Sequence, residues 1–272
     1  MVTLALPRLL PGGRDLRLRR AAAMTERDLM AFRHTSYWWL VLSGFAEPLL
    51  YLFAIGVGVG ALVGDMTLPD GRLISYPAFV APAMLATAAM NGALAESTFN
   101  FFAKMKFAKL YDAILNTPLT PMEIAFGELG WAMLRGAMYS AVFLGVMVAM
   151  DLTTVVWALA AFPATLLVGF AFGALGMELA TFMRSWQDFD YVAVAQFALF
   201  LFSATFVPLA SYPAVFQVVV HLTPLYHGVA LLRGLTTGVV GLGMVWHVAY
   251  LLLVTALGLA VASRRMAQAL CR

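Results

Sequence analysis

Apolar runs separated by short polar stretches dominate the chain. Six of them, at about 40–63, 78–102, 129–150, 154–182, 191–210 and 242–263, are long enough to matter. A hydrocarbon layer about 30 Å thick needs roughly 20 such residues per helix. The pattern therefore predicts an all-α integral membrane protein with six transmembrane helices. They form one domain over 40–272, preceded by an arm over 1–39.

Helix starts are legible between the runs. Thr25-Glu-Arg-Asp28 has the form of a capping box and predicts a helix over about 26–38, with Leu29 and Phe32 on one face and Trp38-Trp39 at its end. Such a helix either lies amphipathically in the membrane interface or extends the first span. Thr120-Pro-Met-Glu123 combines a cap, a proline at the first helical position and a carboxylate at the third. Ser185-Trp-Gln-Asp188 marks the start of the fifth span in the same way.

Two stretches break the simple pattern. Over 101–131, Lys104, Lys106, Lys109 and Asp112 alternate with Phe107, Leu110, Tyr111 and Ile114, which predicts a short amphipathic helix ended by Asn116-Thr117-Pro118. It is suited to dock on a partner, or else to lie on anionic lipid. Over 206–238 the chain is apolar but divided by Pro208, Pro213, Pro224 and Gly234. The pieces, about 213–222 and 224–235, would each be near 15 Å long, too short to span. They read as a re-entrant helical hairpin carrying His227 and Arg233, or alternatively as one kinked span.

Composition strengthens the membrane reading. Of 272 residues, 62% are hydrophobic and 11% charged, against roughly 25% charged in soluble domains. The net charge of +3 comes from basic residues at the ends of apolar runs, which gives no groove for nucleic acid. Arg8, Arg14, Arg17, Arg19, Arg20, Arg27 and Arg33 precede the first span; Lys104, Lys106, Lys109, Arg135 and Arg184 fall on the same predicted face, as do Arg264, Arg265 and Arg272. Only Arg72 and Arg233 fall on the other. Basic residues favour the cytoplasmic side, so both termini are expected there, in a plasma or inner membrane, and an even span count follows.

Candidate chemistry is sparse. Glu47, Glu96 and Glu178 lie within apolar segments, with Glu128 and Arg135 at the start of the third span. Ionisable groups there face a partner, a cavity or the interface, so each is a paired carboxylate first and a substrate contact second. Met84, Met90, Met133, Met138 and Met147 could line an adaptable apolar path, or simply pack. His34, His221, His227 and His247 have no metal-ligand spacing, and Cys271 is the one cysteine. There is no hydrolase or metalloprotease motif and no Gly-Lys dipeptide, so a P-loop is excluded. No cofactor or metal is expected on this chain, nor a catalytic residue.

Four stretches together resemble the ABC-2 family of ATP-binding-cassette exporter permeases: 45–60 (FAEPLLYLFAIGVGVG), 106–121 (KFAKLYDAILNTPLTP), 201–213 (LFSATFVPLASYP) and 222–234 (LTPLYHGVALLRG). The likeness covers roughly 20–265 and is strongest to the branch holding nodulation lipo-oligosaccharide export permeases and related drug-efflux permeases. The Arg-rich arm departs from the family pattern. The resemblance implies a coupling helix near 104–117, with Lys104, Lys106, Lys109, Tyr111, Asp112, Thr117 and Pro118 meeting a separate ABC ATPase subunit that holds ATP and Mg. It also implies a dimer with a second permease copy or paralogue, and export of a drug-like or lipid-linked saccharide substrate. The alternatives are an ion-coupled secondary transporter using Glu47 or Glu96, and a membrane assembly protein or lipid-modifying enzyme without a transport cycle.

Overall fold

A computed structural model describes residues 20, 22–28, 30, 46, 49–68, 71–107, 110–114 and 116–270. In chain order the helices are α1 (22–28), α2 (Leu49–Val63), α3 (Tyr76–Lys106), α4 (Leu110–Ile114), α5 (Pro121–Ala149), α6 (Val155–Phe182), α7 (Asp188–Phe202), α8 (Ala214–Leu222), α9 (Pro224–Thr237) and α10 (Gly243–Leu270). An antiparallel hairpin, β1 (Asp65–Thr67) with β2 (Leu73–Ser75), joins α2 to α3 with Met66 opposite Ile74. The sequence pattern had not indicated these strands.

Four helices are long and apolar enough to cross a membrane: α3, α5 and α6, and α10 over Gly243–Arg265. The α8–α9 pair passes the same test only as a unit, bent by 88°. The chain is thus a multi-pass helical membrane protein with four such spans among the described residues, or five counting the bent pair. The predicted first span is described only from Leu49, apart from residue 46, and α2 is wound as a π-helix over Leu52–Val59. The predicted fifth span, 191–210, is cut short: α7 stops at Phe202, about 22 Å after its start. Its C-cap leads into Ala204, whose φ of 56° lies in the left-handed region that ends helices.

The helix α6 sits at the centre, packed against α3, α5, α9 and α10. Its small residues allow this, because helices in lipid associate through close backbone packing rather than the hydrophobic effect. At Gly258 on α10 an added Cβ would lie 2.9 Å from the Ala174 backbone, so this crossing needs glycine. Outward-facing apolar side chains such as Leu242, Leu159, Val156 and Tyr191 are left exposed, as a lipid-facing surface requires.

The caps fare unequally. Thr120 accepts from Glu123 N–H at 3.3 Å while Glu123 Oε2 accepts from Thr120 N–H at 2.8 Å, the full capping box that opens α5. The Thr25 box is not a helix start, since α1 already runs from 22; Thr25 Oγ1 instead donates to Gly127 O on α5 at 2.9 Å. Leu29, Phe32 and Trp38-Trp39 lie outside the described residues, and so does the boundary near 39. Ser185 and Arg184 donate backbone N–H groups to Asp188, which folds the turn just before α7.

Candidate functional site

The predicted coupling helix is redistributed. The helix α3 continues to Lys106 through π-turns at Glu96–Asn100 and Ala103–Phe107, so Lys104 and Lys106 belong to the end of a span. Only Leu110–Ile114 forms a separate helix, followed by the turn Asn116–Pro118. Lys104 faces inward, 2.5 Å from Glu128 and 3.4 Å from Asp28. Tyr111 is fully buried, its ring 5.2 Å from Phe101, and so offers no docking face. The outer surface here is formed by Lys106, Ala113 and the Asn116–Pro118 turn. That turn is fastened from both sides: Thr117 Oγ1 donates to Ile114 O at 2.6 Å, and Arg20 donates to Pro118 O at 3.1 Å. Lys109 lies outside the described residues.

Beside this end of the bundle, Phe99 and Phe102 on α3 meet Trp186 and Phe189, with ring centroids 5.0–5.6 Å apart. The cluster seats the start of α7 on the π-wound part of α3.

Deeper in, Glu96 and Arg135 come together at 2.6 Å. Trp131 Nε1–H donates to Glu96 Oε1 at 3.1 Å, Asn100 donates to Oε2 at 2.9 Å, and Arg135 Nε donates to Tyr139 at 2.9 Å. Residues 96 and 100, and 131, 135 and 139, follow an i, i+4 spacing that the sequence displays once the two helices are paired. Both oxygens of a buried carboxylate are thus occupied, as its burial demands. Glu178 joins neither this group nor any ion pair among the described residues, and Glu47 lies outside them.

One level further along α3 a cavity of about 360 Å³ opens between α2, α3 and α7, lined by Tyr51, Met84, Thr87, Asn91, Gln196 and Phe200 among others. Gln196 donates to Asn91 at 3.2 Å across it. Two amides (Asn91, Gln196) and two hydroxyl-bearing side chains (Tyr51, Thr87) in an aromatic and aliphatic wall suit a ligand with both polar and apolar parts. Of the methionines singled out as path-lining, Met84 alone borders it.

The break between α8 and α9 is chemically closed. Helix ends leave carbonyls without partners, and here three side chains supply donors. Thr223 Oγ1 donates to Val220 O at 2.7 Å, His227 Nε2–H to His221 O at 2.9 Å, and Tyr250 Oη to Leu222 O at 2.6 Å. With Nε2 committed, neutral His227 accepts at Nδ1 from His247 Nδ1, 2.8 Å away. Arg233 ties α9 inward by donating to Phe79 O at 3.0 Å and Ala204 O at 2.9 Å, with its guanidinium 3.7 Å over the Phe79 ring. Pro224 opens α9, as the sequence indicated, whereas Pro213 caps α8 and Pro208 precedes a short 3₁₀ turn.

Apolar helices of membrane-spanning length, packed around buried ion pairs and an amphipathic cavity, define a polytopic membrane protein. Its sequence matches the ABC-2 type transporter family over residues 20–237, and the chain belongs to that family. It is 34% identical over 219 residues to Nodulation protein J of Rhizobium meliloti (strain 1021), covering 79% of this chain and 80% of that protein. It is 33% identical over 231 residues to Nodulation protein J of Sinorhizobium fredii (strain NBRC 101917 / NGR234), covering 84% and 86%. The family resemblance read from four sequence stretches therefore holds over most of the chain.

Proposed function

We propose that this chain is the permease subunit of an ATP-driven exporter. Two permease subunits, identical or paralogous, sit above two ABC ATPase subunits and move an amphipathic molecule outward. The reading counts six spans, adding α2 with the residues before it and α7 to the four long helices. The bent α8–α9 pair is then a re-entrant hairpin in the outer leaflet, and both termini are cytoplasmic, in keeping with the basic residues at one end. ATP and Mg are held by the ATPase, since this sequence has no P-loop.

The observation that carries this reading, given the family, is the exposed Asn116–Pro118 turn. It is exposed, closed onto α4 by Thr117, tied by Pro118 O to Arg20 of the N-terminal segment, and followed at once by the Thr120–Glu123 cap that opens α5. An exposed turn held this firmly suits the transfer of force from a partner. Lys106, Lys109, Asp112, Thr117 and Pro118 form the contact, while Lys104 and Tyr111 hold it in place from within. The cavity beside α3 supports an amphipathic substrate, either a drug-like compound or a lipid-linked saccharide. Glu96, committed to Arg135, speaks against a proton carrier.

Purification in mild detergent from native membranes should recover a P-loop ATPase. Lys106→Glu and Asp112→Lys should each lower that recovery while leaving membrane insertion unchanged. Recovery of no ATPase with the wild-type chain, or transport that follows the proton gradient after ATP is exhausted, would overturn the assignment.

A further inference from the structure

Two histidines face each other where the bent α8–α9 pair meets α10. His227 Nδ1 and His247 Nδ1 are 2.8 Å apart, so one hydrogen lies between them. His227 Nε2–H is committed to His221 O at the end of α8, 2.9 Å away. Tyr250, three residues after His247 and so on the same face of α10, stacks on the His227 ring at 3.8 Å and donates to Leu222 O. One buried residue, 2% exposed, thus joins α8, α9 and α10.

Few charges reach this pair. The neighbours acting electrostatically on the two rings are each other and His221. Tyr226 of α9 packs edge-to-face against all three histidines, and Arg233, nearly two turns along α9, is held by the Phe79 and Ala204 carbonyls. On α6 this level is apolar, with Val168 against Gly228, and Glu178 lies about 15 Å further along the helix. Glu96 of α3 and Glu128 of α5 are engaged by Arg135 and Lys104, Glu123 belongs to the α5 cap, and Asp188 and Asp190 sit in the first turn of α7. No carboxylate among the described residues pairs with either ring.

The proton count follows from the geometry. In the neutral pair His247 donates and His227 accepts. One further proton fits on His247 Nε2, which keeps the shared hydrogen in place and makes the bond charge-assisted. A second has to go to His227 Nδ1, because Nε2 already carries a hydrogen. Two N–H groups then point at each other, and two like charges share rings whose centroids are 5.0 Å apart, with no anion to offset them. The joined state holds at most one extra proton and the parted state two, so acid favours parting.

We infer that His227 and His247 form a proton-operated latch that holds the bent α8–α9 pair to α10 and releases it in acid. The end of α8 stays capped on release, since His227 keeps its Nε2–H; what is lost is the grip of α10 on α9. With the hairpin in the outer leaflet, as proposed above, the pH that counts is the external one.

The test is hydrogen–deuterium exchange on the protein in nanodiscs, corrected for its intrinsic pH dependence. Both faces then share one pH, so the result does not depend on which side the hairpin occupies. In the wild type, protection at 221–230 and 244–250 should be steady near neutral pH. It should fall by up to about tenfold per pH unit below the ordinary histidine value near 6.5. Residues 158–168 of α6, which hold no titratable side chain, serve as the reference and should not change. His247→Gln offers His227 either a donor or an acceptor and takes up no proton, so its protection should stay level. His221→Gln leaves the pair and the 221 carbonyl in place and should behave as wild type. A level wild-type profile, a fall in His247→Gln equal to that of wild type, or loss of the fall in His221→Gln would each overturn the latch. Histidine-selective NMR of the wild type gives a readout that needs no variant. The two rings should titrate in two separated steps, and independent single steps would overturn the latch as well.

Discussion

Replacing Arg135 with leucine is the sharpest test of how the bundle is held. The substitution leaves the Glu96 carboxylate, whose side chain is 6% exposed, with only Trp131 and Asn100 as neutral donors. Breaking a buried pair in this way costs about 3–5 kcal/mol, because an uncompensated charge remains. Glu96→Leu should cost less, about 2 kcal/mol, since Arg135 keeps Tyr139 and is 20% exposed. The double variant removes both charges and should lose only about 1–2 kcal/mol, far below the sum of the single changes. At roughly 2–4 °C per kcal/mol for a chain of this size, Arg135→Leu should lower the midpoint by about 6–20 °C. Thermal loss of monodispersity in detergent, followed by fluorescence-detected gel filtration, gives the ranking even if unfolding is irreversible. A double variant no better than the sum of the singles, or Arg135→Leu within 2 °C of wild type, would refute the reasoning.

Thr120→Ala removes one half of the capping box, which is worth about 1 kcal/mol; amide exchange should quicken over 120–124 and stay unchanged in the middle of α5. Gly238→Ala places a side chain at φ +74°, with its Cβ 2.9 Å from Trp157 Nε1. A left-handed non-glycine residue costs about 1–2 kcal/mol before Trp157 has to move, so the melting midpoint should fall. The Asp188 carboxylate is held below the usual aspartate value by the backbone N–H groups of Arg184 and Ser185. A depressed carboxylate pKa contributes order that is fully present above the ordinary value near 3.8 and is lost as pH falls through the lower folded value. Protection factors at 184–188, that is exchange corrected for its intrinsic pH dependence, should therefore be steady from pH 7 to 5 and fall only below about 4; a fall already at pH 5 would contradict this.

Hydrophobic length and helix punctuation carried much of the fold. The Thr120 box and the Pro224 start appear where the text of the sequence puts them, because each depends on residues within one turn of itself. Thr25 shows the limit of such reading. Its neighbours have the composition of a cap, but its hydroxyl is drawn to the Gly127 carbonyl of a distant helix, and local spacing cannot register that competition. The end of α3 departs from the sequence pattern for a related reason. Alternating lysines suggest a new amphipathic helix, whereas π-turns carry the existing one onward, and apolar periodicity is blind to a change in winding.

The buried ionic groups explain why the site was only half legible. A lysine beside apolar residues reads as a solvated face, and Lys106 fits that reading. Lys104, two positions earlier, points to Glu128 and Asp28, which lie 24 and 76 residues away along the chain. Nothing within a helical turn separates the two lysines; the difference is made by carboxylates that the fold delivers from elsewhere. The same holds for Glu96, whose role is fixed by Arg135 on the next long helix. In an apolar bundle every charge must find a partner or leave. The useful question for each such residue is therefore which other lone charge could reach it at the same depth. Matching Glu96 with Arg135 across α3 and α5 by depth would have paired them. Depth alone would not have placed the Tyr111 ring against Phe101, since that depends on where the short helix α4 comes to rest.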